Sequence, residues 1–324
     1  MIGDIIIDTE RTTPESVDLQ RILRQMKDEK VDVVIMEVSS HSLDQKRVHG
    51  IEYDVGEFTN LTQDHLDYHK TFENYFNAKK LLFKQSRMAV INKDDPYANR
   101  MMEGLDIPVM TFGIREKADV TASEIDITTR GVQFDFNYKN ITSRFNVPIP
   151  GLFSVFNAIG AATVALSLGW NLDSIKYGLE HMMSVSGRLE PLPTGKNEFT
   201  VLLDYAHTPD ALENVLKTVK GFATGRIVTL FGCGGDRMGE IAGRFSDFAI
   251  VTSDNPRTEN PMDIINSIVE GVKKSGCEYV VIENRREAIE YALKNARKND
   301  VIILAGKGHE NYQEINGGKH HFDE

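Results

Sequence analysis

Between residues 200 and 310 five β-rich runs recur, TVLLDYAHTP, RIVTLFGCGG, FAIVTSDNPR, YVVIEN and DVIILAGKGHE, each ending in polar residues or glycine. Most are separated by segments with helical periodicity. A near-continuous apolar run belongs to a strand buried on both faces, and such strands occur in parallel sheets covered by helices. The pattern therefore predicts an α/β fold, and it gathers the polar run ends at the carboxyl edge of one sheet, where ligands of such folds sit. A chain of 324 residues exceeds one typical core and predicts about two domains. The Gly/Pro-rich joint SVSGRLEPLPTGKN, at 184–197, divides them into 1–187 and 188–324, the second closing without room for a final helix after HHFDE.

The first half has the same grammar. Leu19, Ile22, Leu23 and Met26 recur on one face of a helix predicted over 16–29, which feeds the apolar run VDVVIMEVSSH, expected as a buried strand. A second strand is expected at VGEFTN, 55–60, followed by LTQDHLDYH, a helix TFENYFNAKKLLFKQ and a strand RMAVIN. Alternation in EIDITT and VQFDFNY around Arg130-Gly131 predicts antiparallel strands at the sheet's edge or on a small subsheet. SVFNAIGAATVALSLG and LDSIKYGLEHMM read as helices.

The formal charge of −11 disfavours a nucleic-acid or anionic-membrane surface. Cys233 and Cys277 are the only cysteines and form neither a disulfide framework nor a metal-type pair, which suits a reducing cytoplasm. The start MIGDIIIDTERTTPES has no basic n-region, and no span of about 20 apolar residues follows. The expectation is a cytoplasmic protein with no nucleic-acid and no membrane partner.

Several residues stand out chemically. Lys79 falls within the helical stripe of Phe72, Tyr75, Phe76, Leu82 and Phe83, where an unpaired ammonium is expensive; it either snorkels or is modified or paired with a ligand. Glu37, Ser39, Ser40 and His41 follow one strand, and Asp64, His65, Asp67 and His69 follow the next. Oxygen donors with an occasional imidazole suit Mg²⁺ or Mn²⁺, and caps or solvated loop residues account for the same letters. Gly232, Gly234 and Gly235 let backbone approach a ligand that Arg237 could clamp, or simply make a tight connection. In DNPR, Asp254 could take an ammonium and Arg257 a carboxylate, with Asn255 beside them and Pro256 stiffening their separation; the same words could open the next helix. GKGHE adds Gly306, Gly308, His309 and Glu310, the last a candidate for a second ammonium.

The words RTTPES, MEVSSHSL, FTNLTQDHLDYH, NAKKLLF, GRLE, DYAHTPDALENVL, FGCGGDR, TSDNPR and AGKGHENYQ, in this order across nearly the whole chain, resemble the Mur ligase family. The resemblance implies an incomplete central ATPase-like domain followed by a Rossmann-like C-terminal domain. It implies ATP-dependent addition of meso-2,6-diaminopimelate to UDP-N-acetylmuramoyl-L-alanyl-D-glutamate through an acyl phosphate, with ATP and Mg²⁺ required. Carried over by position, Glu37, His65 and a carbamylated Lys79 are implied at the metal, and Thr12, Thr13, Ser39 and Ser40 at the nucleotide-sugar acceptor. Asn60, Asn157, Arg188, Asp204, Tyr205 and His207 are implied on the ATP side or in domain closure. Arg237, Asp254, Asn255, Arg257, Gly306 and Glu310 are implied in the diaminopimelate pocket, where DNPR is the signature of that amino acid.

The sequence also departs from the family. The family leads one to expect an upstream nucleotide-sugar domain and a G-x-x-x-x-G-K-[ST]; neither is found in these 324 residues, and the expectation is a chain without the main cradle for the β and γ phosphates. GGDRMGEIAG lacks the short basic insertion expected after Arg237, and Ser154 stands where many relatives have asparagine. The expectation is a ligase inactive on its own. Another Mur-like or folylpolyglutamate-like amide ligase is the competing enzyme reading. The non-enzyme alternative is an amino-acid-binding remnant, or one part of a split ligase completed by a separate P-loop-bearing chain.

Overall fold

A computed structural model describes residues 5, 7, 9, 11–62, 65–182, 185–233, 235–315 and 317–324. Asp64 and Gly234, singled out above, lie outside the described residues. Two compact units form, one of Met1–Ala122, Phe136–Thr142 and Phe156–Ile175, the other of Ser123–Asp135, Ser143–Val155 and Lys176–Glu324.

In the first half, helices α1 (Ser16–Asp28) and α2 (Ser40–Asp44) precede strand β1 (Gly56–Phe58). Helices α3 (Leu66–His69) and α4 (Phe72–Lys80) follow, and a 3-10 turn at Leu81–Gln85 leads to β2 (Ala89–Asn92). Next come α5 (Ala98–Met102), β3 (Val109–Gly113), and the strands β4 (Val120–Thr128), β5 (Gly131–Tyr138) and β6 (Ile141–Val147). Helices α6 (Leu152–Ser167) and α7 (Leu172–Glu180) complete this half. β1 to β6 lie in sequence order in one sheet, with β1, β2, β3 and β4 pairing in parallel. Thr71 starts α4 by accepting a hydrogen bond from the Asn74 amide at 3.1 Å, and the helix buries Tyr75 and Phe76 against Phe58, Ile91 and Met101.

One expected strand does not form. Residues 31–38 run without a ladder partner among the described residues, and Val33, Val34 and Ile35 are exposed, Ile35 to 94%. Met36 and Val38 still lean on the small core of Leu19, Leu43 and Val48. Apolar letters show that a run can be buried; pairing needs a neighbouring strand edge, which is a tertiary property.

In the second half, β7 (Glu190–Leu192) precedes the alternation β8 (Thr200–Asp204), α8 (Pro209–Lys220), β9 (Ile227–Phe231), α9 (Gly235–Phe245), β10 (Phe248–Val251) and α10 (Pro261–Ser275). It continues through β11 (Glu278–Val281), α11 (Arg285–Lys294) and β12 (Val301–Ala305) to a closing hairpin of β13 (Tyr312–Ile315) and β14 (Gly318–His321). The sheet order is β11-β10-β9-β12-β8-β7, parallel except for β7.

Period-two alternation divides its side chains cleanly. Leu202, Ile227, Ile303 and Val251 pack against α8, α9 and α10, while Val201, Leu203, Val228, Leu230 and Ile302 pack against Ala288 and Ala292 of α11. This doubly wound layer structure is Rossmann-like, and β12 inserts between β8 and β9. Because they run parallel, the polar ends of β8, β9, β10 and β12 lie at one edge, with that of β12 between those of β8 and β9. No helix among the described residues is long and apolar enough to cross a membrane.

Candidate functional site

At the carboxyl edge of the second sheet, DNPR and GKGHE meet around a residue that sequence reasoning passed over. Lys307 is fully buried, and its ammonium donates to Asp254 Oδ1 at 3.0 Å, Asn255 Oδ1 at 2.9 Å and Glu310 Oε2 at 3.3 Å. Asn255 Nδ2 donates to the same Glu310 Oε2 at 3.0 Å, and the Glu314 amide donates to Asn255 Oδ1 at 3.0 Å. The β13 strand thus holds the DNPR turn, and Gln313 adds a hydrogen bond to the Asp254 carbonyl at 2.9 Å. Among the described residues, the other oxygen of Glu310 has two long contacts, 3.5 Å each, from the hydroxyls of Tyr205 and Tyr312.

Gly306 has φ +116°, and a Cβ there would lie 2.5 Å from Asp254 Oδ2, so the buried carboxylate occupies space that only glycine leaves. Beside it, burial and the Asp254 carboxylate push the Cys233 thiol up to about 12, which keeps it a neutral thiol. Behind it, the buried Arg285 guanidinium pairs with Glu324 and donates to the Ala305 carbonyl at 3.0 Å. Burial disfavours the Arg285 charge, but Glu324 and Asp254 outweigh that and raise its pKa.

The remaining residues expected here are arranged differently. Arg257 takes φ +55° and donates its amide to the Glu314 carbonyl at 2.9 Å, but its side chain is 74% exposed and reaches Glu314 only at 3.6 Å. Arg237 is also exposed and pairs with Asp210 at 2.9 Å. The Tyr205 ring lies beside that of His309, with centroids 5.1 Å apart and the planes tilted by 40°, and the Arg188 guanidinium lies 5.7 Å from its ring. Burial, then the Glu310 carboxylate, raises the Tyr205 pKa. His207 turns back to the Tyr205 carbonyl at 2.9 Å. Asp204 is buried and accepts from the Leu189 amide at 2.8 Å and the Ala206 amide at 2.9 Å; burial raises its pKa and these amides oppose the rise. Its carboxylate ties the residue that precedes β7 to the turn that leaves β8.

In the first unit a second group of polar residues collects. Buried Thr13 bridges two backbone groups, donating to the Glu37 carbonyl at 2.9 Å and accepting from the Ser39 amide at 3.0 Å. Thr12 and the Glu37 side chain are exposed. Ser39 caps α2 through the Ser42 amide, and buried Ser40 meets His69 Nε2 at 2.9 Å. His65, in the left-handed region at φ 53°, has its ring 4.9 Å from that of His41 and 6.0 Å from that of Tyr75. Burial and neighbouring histidines lower the pKa of both His41 and His69. The half-buried Lys79 ammonium lies 5.4 Å from the Tyr75 ring centre, so Lys79 and His65 share Tyr75 as a neighbour. Asn60 and Asn157 are exposed, Asn60 beside Thr59 and Asn157 on α6. Among the described residues no three His, Cys, Asp or Glu side chains are grouped to hold a metal ion.

Lys307, Tyr312 and Arg285 were not singled out from the sequence. The signal for Lys307 was available: a lysine directly after the apolar run VIILAG invites the same question as Lys79.

Comparison with known proteins matches residues 1–165 to the Mur ligase middle domain and residues 187–308 to the Mur ligase glutamate ligase domain. The chain is 49% identical over 331 residues to UDP-N-acetylmuramoyl-L-alanyl-D-glutamate–2,6-diaminopimelate ligase 1 of Clostridium acetobutylicum, and 51% identical over 332 residues to the corresponding ligase of Caldanaerobacter subterraneus subsp. tengcongensis. In both cases all of this chain and 68% of the relative are covered. A solved structure of a UDP-N-acetylmuramoyl-L-alanyl-D-glutamate–2,6-diaminopimelate ligase superposes with a TM-score of 0.75 at 34% identity, covering 95% of this chain and 66% of that one.

Proposed function

This chain belongs to the Mur ligase family, and on that premise we propose that it serves the ATP-dependent addition of meso-2,6-diaminopimelate to UDP-N-acetylmuramoyl-L-alanyl-D-glutamate, a step of peptidoglycan precursor synthesis in the cytoplasm. The observation that carries this reading is the mixed-charge cluster of Asp254, Asn255, Lys307 and Glu310 at the sheet edge, with Arg257 at its rim. Acids to receive an ammonium beside a guanidinium to receive a carboxylate suit the amino-acid head of diaminopimelate; lysine lacks the second carboxylate.

In the proposed reaction an oxygen of the terminal D-glutamate carboxylate attacks the γ-phosphorus of ATP, ADP leaves, and an acyl phosphate forms. The neutral amine of diaminopimelate then attacks the acyl carbon. The C–N bond forms as the C–O bond to phosphate breaks, and the amine gives up a proton. We assign Arg237, Asp254, Asn255, Arg257, Gly306 and Glu310 to the amino-acid side, and Thr12, Thr13, Ser39 and Ser40 to the nucleotide-sugar side. Asn60, Asn157, Arg188, Asp204, Tyr205 and His207 face ATP or take part in closure.

Glu37, His65 and Lys79 fit a metal only if Lys79 is carbamylated, because an ammonium repels a cation whereas a carbamate contributes anionic oxygen. Half-burial of Lys79 beside Tyr75, whose ring also neighbours that of His65, supports that modification. Mg²⁺ held there would screen the charges of phosphate and carboxylate. A second reading, amino-acid binding with the phosphate cradle supplied by another chain, draws on the same sheet-edge cluster of Asp254, Asn255 and Glu310.

The test is ADP release and amide formation with the UDP-linked dipeptide, ATP and Mg²⁺, comparing meso-diaminopimelate with L-lysine, alongside peptide mass spectrometry of Lys79 for added CO₂. Product from diaminopimelate alone supports a ligase complete in this chain. Turnover that appears only when a P-loop-bearing chain is added supports the second reading. Turnover with L-lysine in preference to diaminopimelate defeats both, and an unmodified Lys79 in an active preparation rejects the carbamate.

A further inference from the structure

Lys307 is the most completely buried charge at the amino-acid site. An ammonium has three N–H donors, and three acceptors take them: Asp254 Oδ1, Asn255 Oδ1 and Glu310 Oε2. Two consequences follow from which atoms these are. Glu310 Oε2 is occupied twice, by Lys307 and by Asn255 Nδ2, so Oε1 is the oxygen with more acceptor capacity, met among the described residues by the long contacts from Tyr205 and Tyr312. The second consequence concerns charge. Asp254 and Glu310 bring two negative charges into a largely buried edge, and Lys307 cancels one.

We propose that Lys307 is a positioning residue that acts as a fixed internal ammonium, turning Glu310 Oε1 toward the gap between Tyr205 and Tyr312 and leaving the site short of one positive charge instead of two. This deepens the amino-acid reading given above and rests on it for the identity of the ligand. A site short of one cation takes a single ammonium and tolerates the carboxylate that accompanies it in an amino-acid head. A site short of two would favour ligands with excess positive charge, such as L-lysine, over diaminopimelate. The hydroxyl oxygens of Tyr205 and Tyr312 that approach Oε1 can accept from the remaining N–H groups of an ammonium held there.

The test uses the whole chain, with calorimetric titration of meso-diaminopimelate and L-lysine and thermal melting with and without methylammonium. Lys307→Met is expected to weaken diaminopimelate binding by about tenfold or more, since it leaves two buried acids uncompensated, and to narrow or reverse its preference over L-lysine. Lys307→Arg, which keeps the charge, is expected to retain the preference in part. In Lys307→Ala, methylammonium is expected to raise the melting temperature and restore the preference, with no such effect on the unaltered chain. If Lys307→Met is too unstable to isolate, Lys307→Ala prepared in methylammonium supplies the same comparison, and failure to fold even there counts against the assignment. An unchanged ligand preference in Lys307→Met with no rescue by methylammonium overturns it, reducing Lys307 to a structural strut. If the unaltered chain binds neither amino acid while methylammonium still rescues Lys307→Ala, the amino-acid reading fails and the internal ammonium stands.

Discussion

Glu57 on β1 faces α6, where Gly160 leaves a notch: a Cβ at position 160 would lie 2.4 Å from Glu57 Oε1. Burial pushes this carboxyl up from 4.5 to about 7. The folded chain therefore holds a proton that the unfolded chain has released between those two values. The contribution to stability is present below pH 4.5 and is lost as pH rises through about 7. The amount is on the order of 2 to 3 kcal/mol, reduced by the solvent contact the side chain keeps. Glu57→Gln should remove this slope and raise stability at pH 8 by a similar amount, read from urea unfolding at several pH values; a slope unchanged from the unaltered chain would show that Glu57 is not its source. At the same scale, Lys79 and Lys307 show what a single position conveys. Both are lysines in apolar surroundings by sequence, yet Lys79 is half-buried beside an aromatic ring whereas Lys307 is fully enclosed by acids. Periodicity locates such a residue on an apolar face, but the depth of that face and the partners there come from other parts of the chain.

The turn after β10 shows how one element serves two ends. Its sequence supported both a ligand site and the start of a helix, and the structure separates them. Asp254 and Asn255 face Lys307, while Asn260 caps α10 by accepting from the Met262 amide at 2.9 Å, with Pro261 in the first turn and Gly276 closing the helix at φ 74°. Asn260→Ala should cost about 1 kcal/mol of stability and leave diaminopimelate affinity within about twofold. Loss of binding out of proportion to stability would show that cap and site are not separable. Strand prediction was dependable where helical crossovers cover both faces of the sheet, as for β8, β9, β10 and β12. It failed at 31–38, where the run is apolar enough for a strand but has no ladder partner among the described residues, and Ile35 stays exposed.

Across the molecule, each unit has its own core, with Phe58, Tyr75 and Ile91 in one and the two faces of the β8–β12 sheet in the other. A ligand held by Asp254, Asn255 and Glu310 should stabilise the sheet that carries them. At a hundred times its dissociation constant, meso-diaminopimelate would add about 2.7 kcal/mol to opening reactions that release it. Hydrogen exchange should then slow by up to about a hundredfold in β8, β9, β10 and β12, with β1 and β2 unaffected; equal protection in both units would contradict a site confined to the second. The order of apolar runs and the polar words at their ends determined the α/β class, the parallel second sheet and the family, because burial periodicity and turn chemistry are local. Only the tertiary structure decided that β12 lies between β8 and β9, that the lysine of GKGHE reaches Asp254 and Asn255 of DNPR, and that Arg257 stays at the rim. The place of β12 and the bonds from Lys307 to Asp254 and Asn255 depend on contacts between residues more than fifty positions apart, which no local pattern encodes.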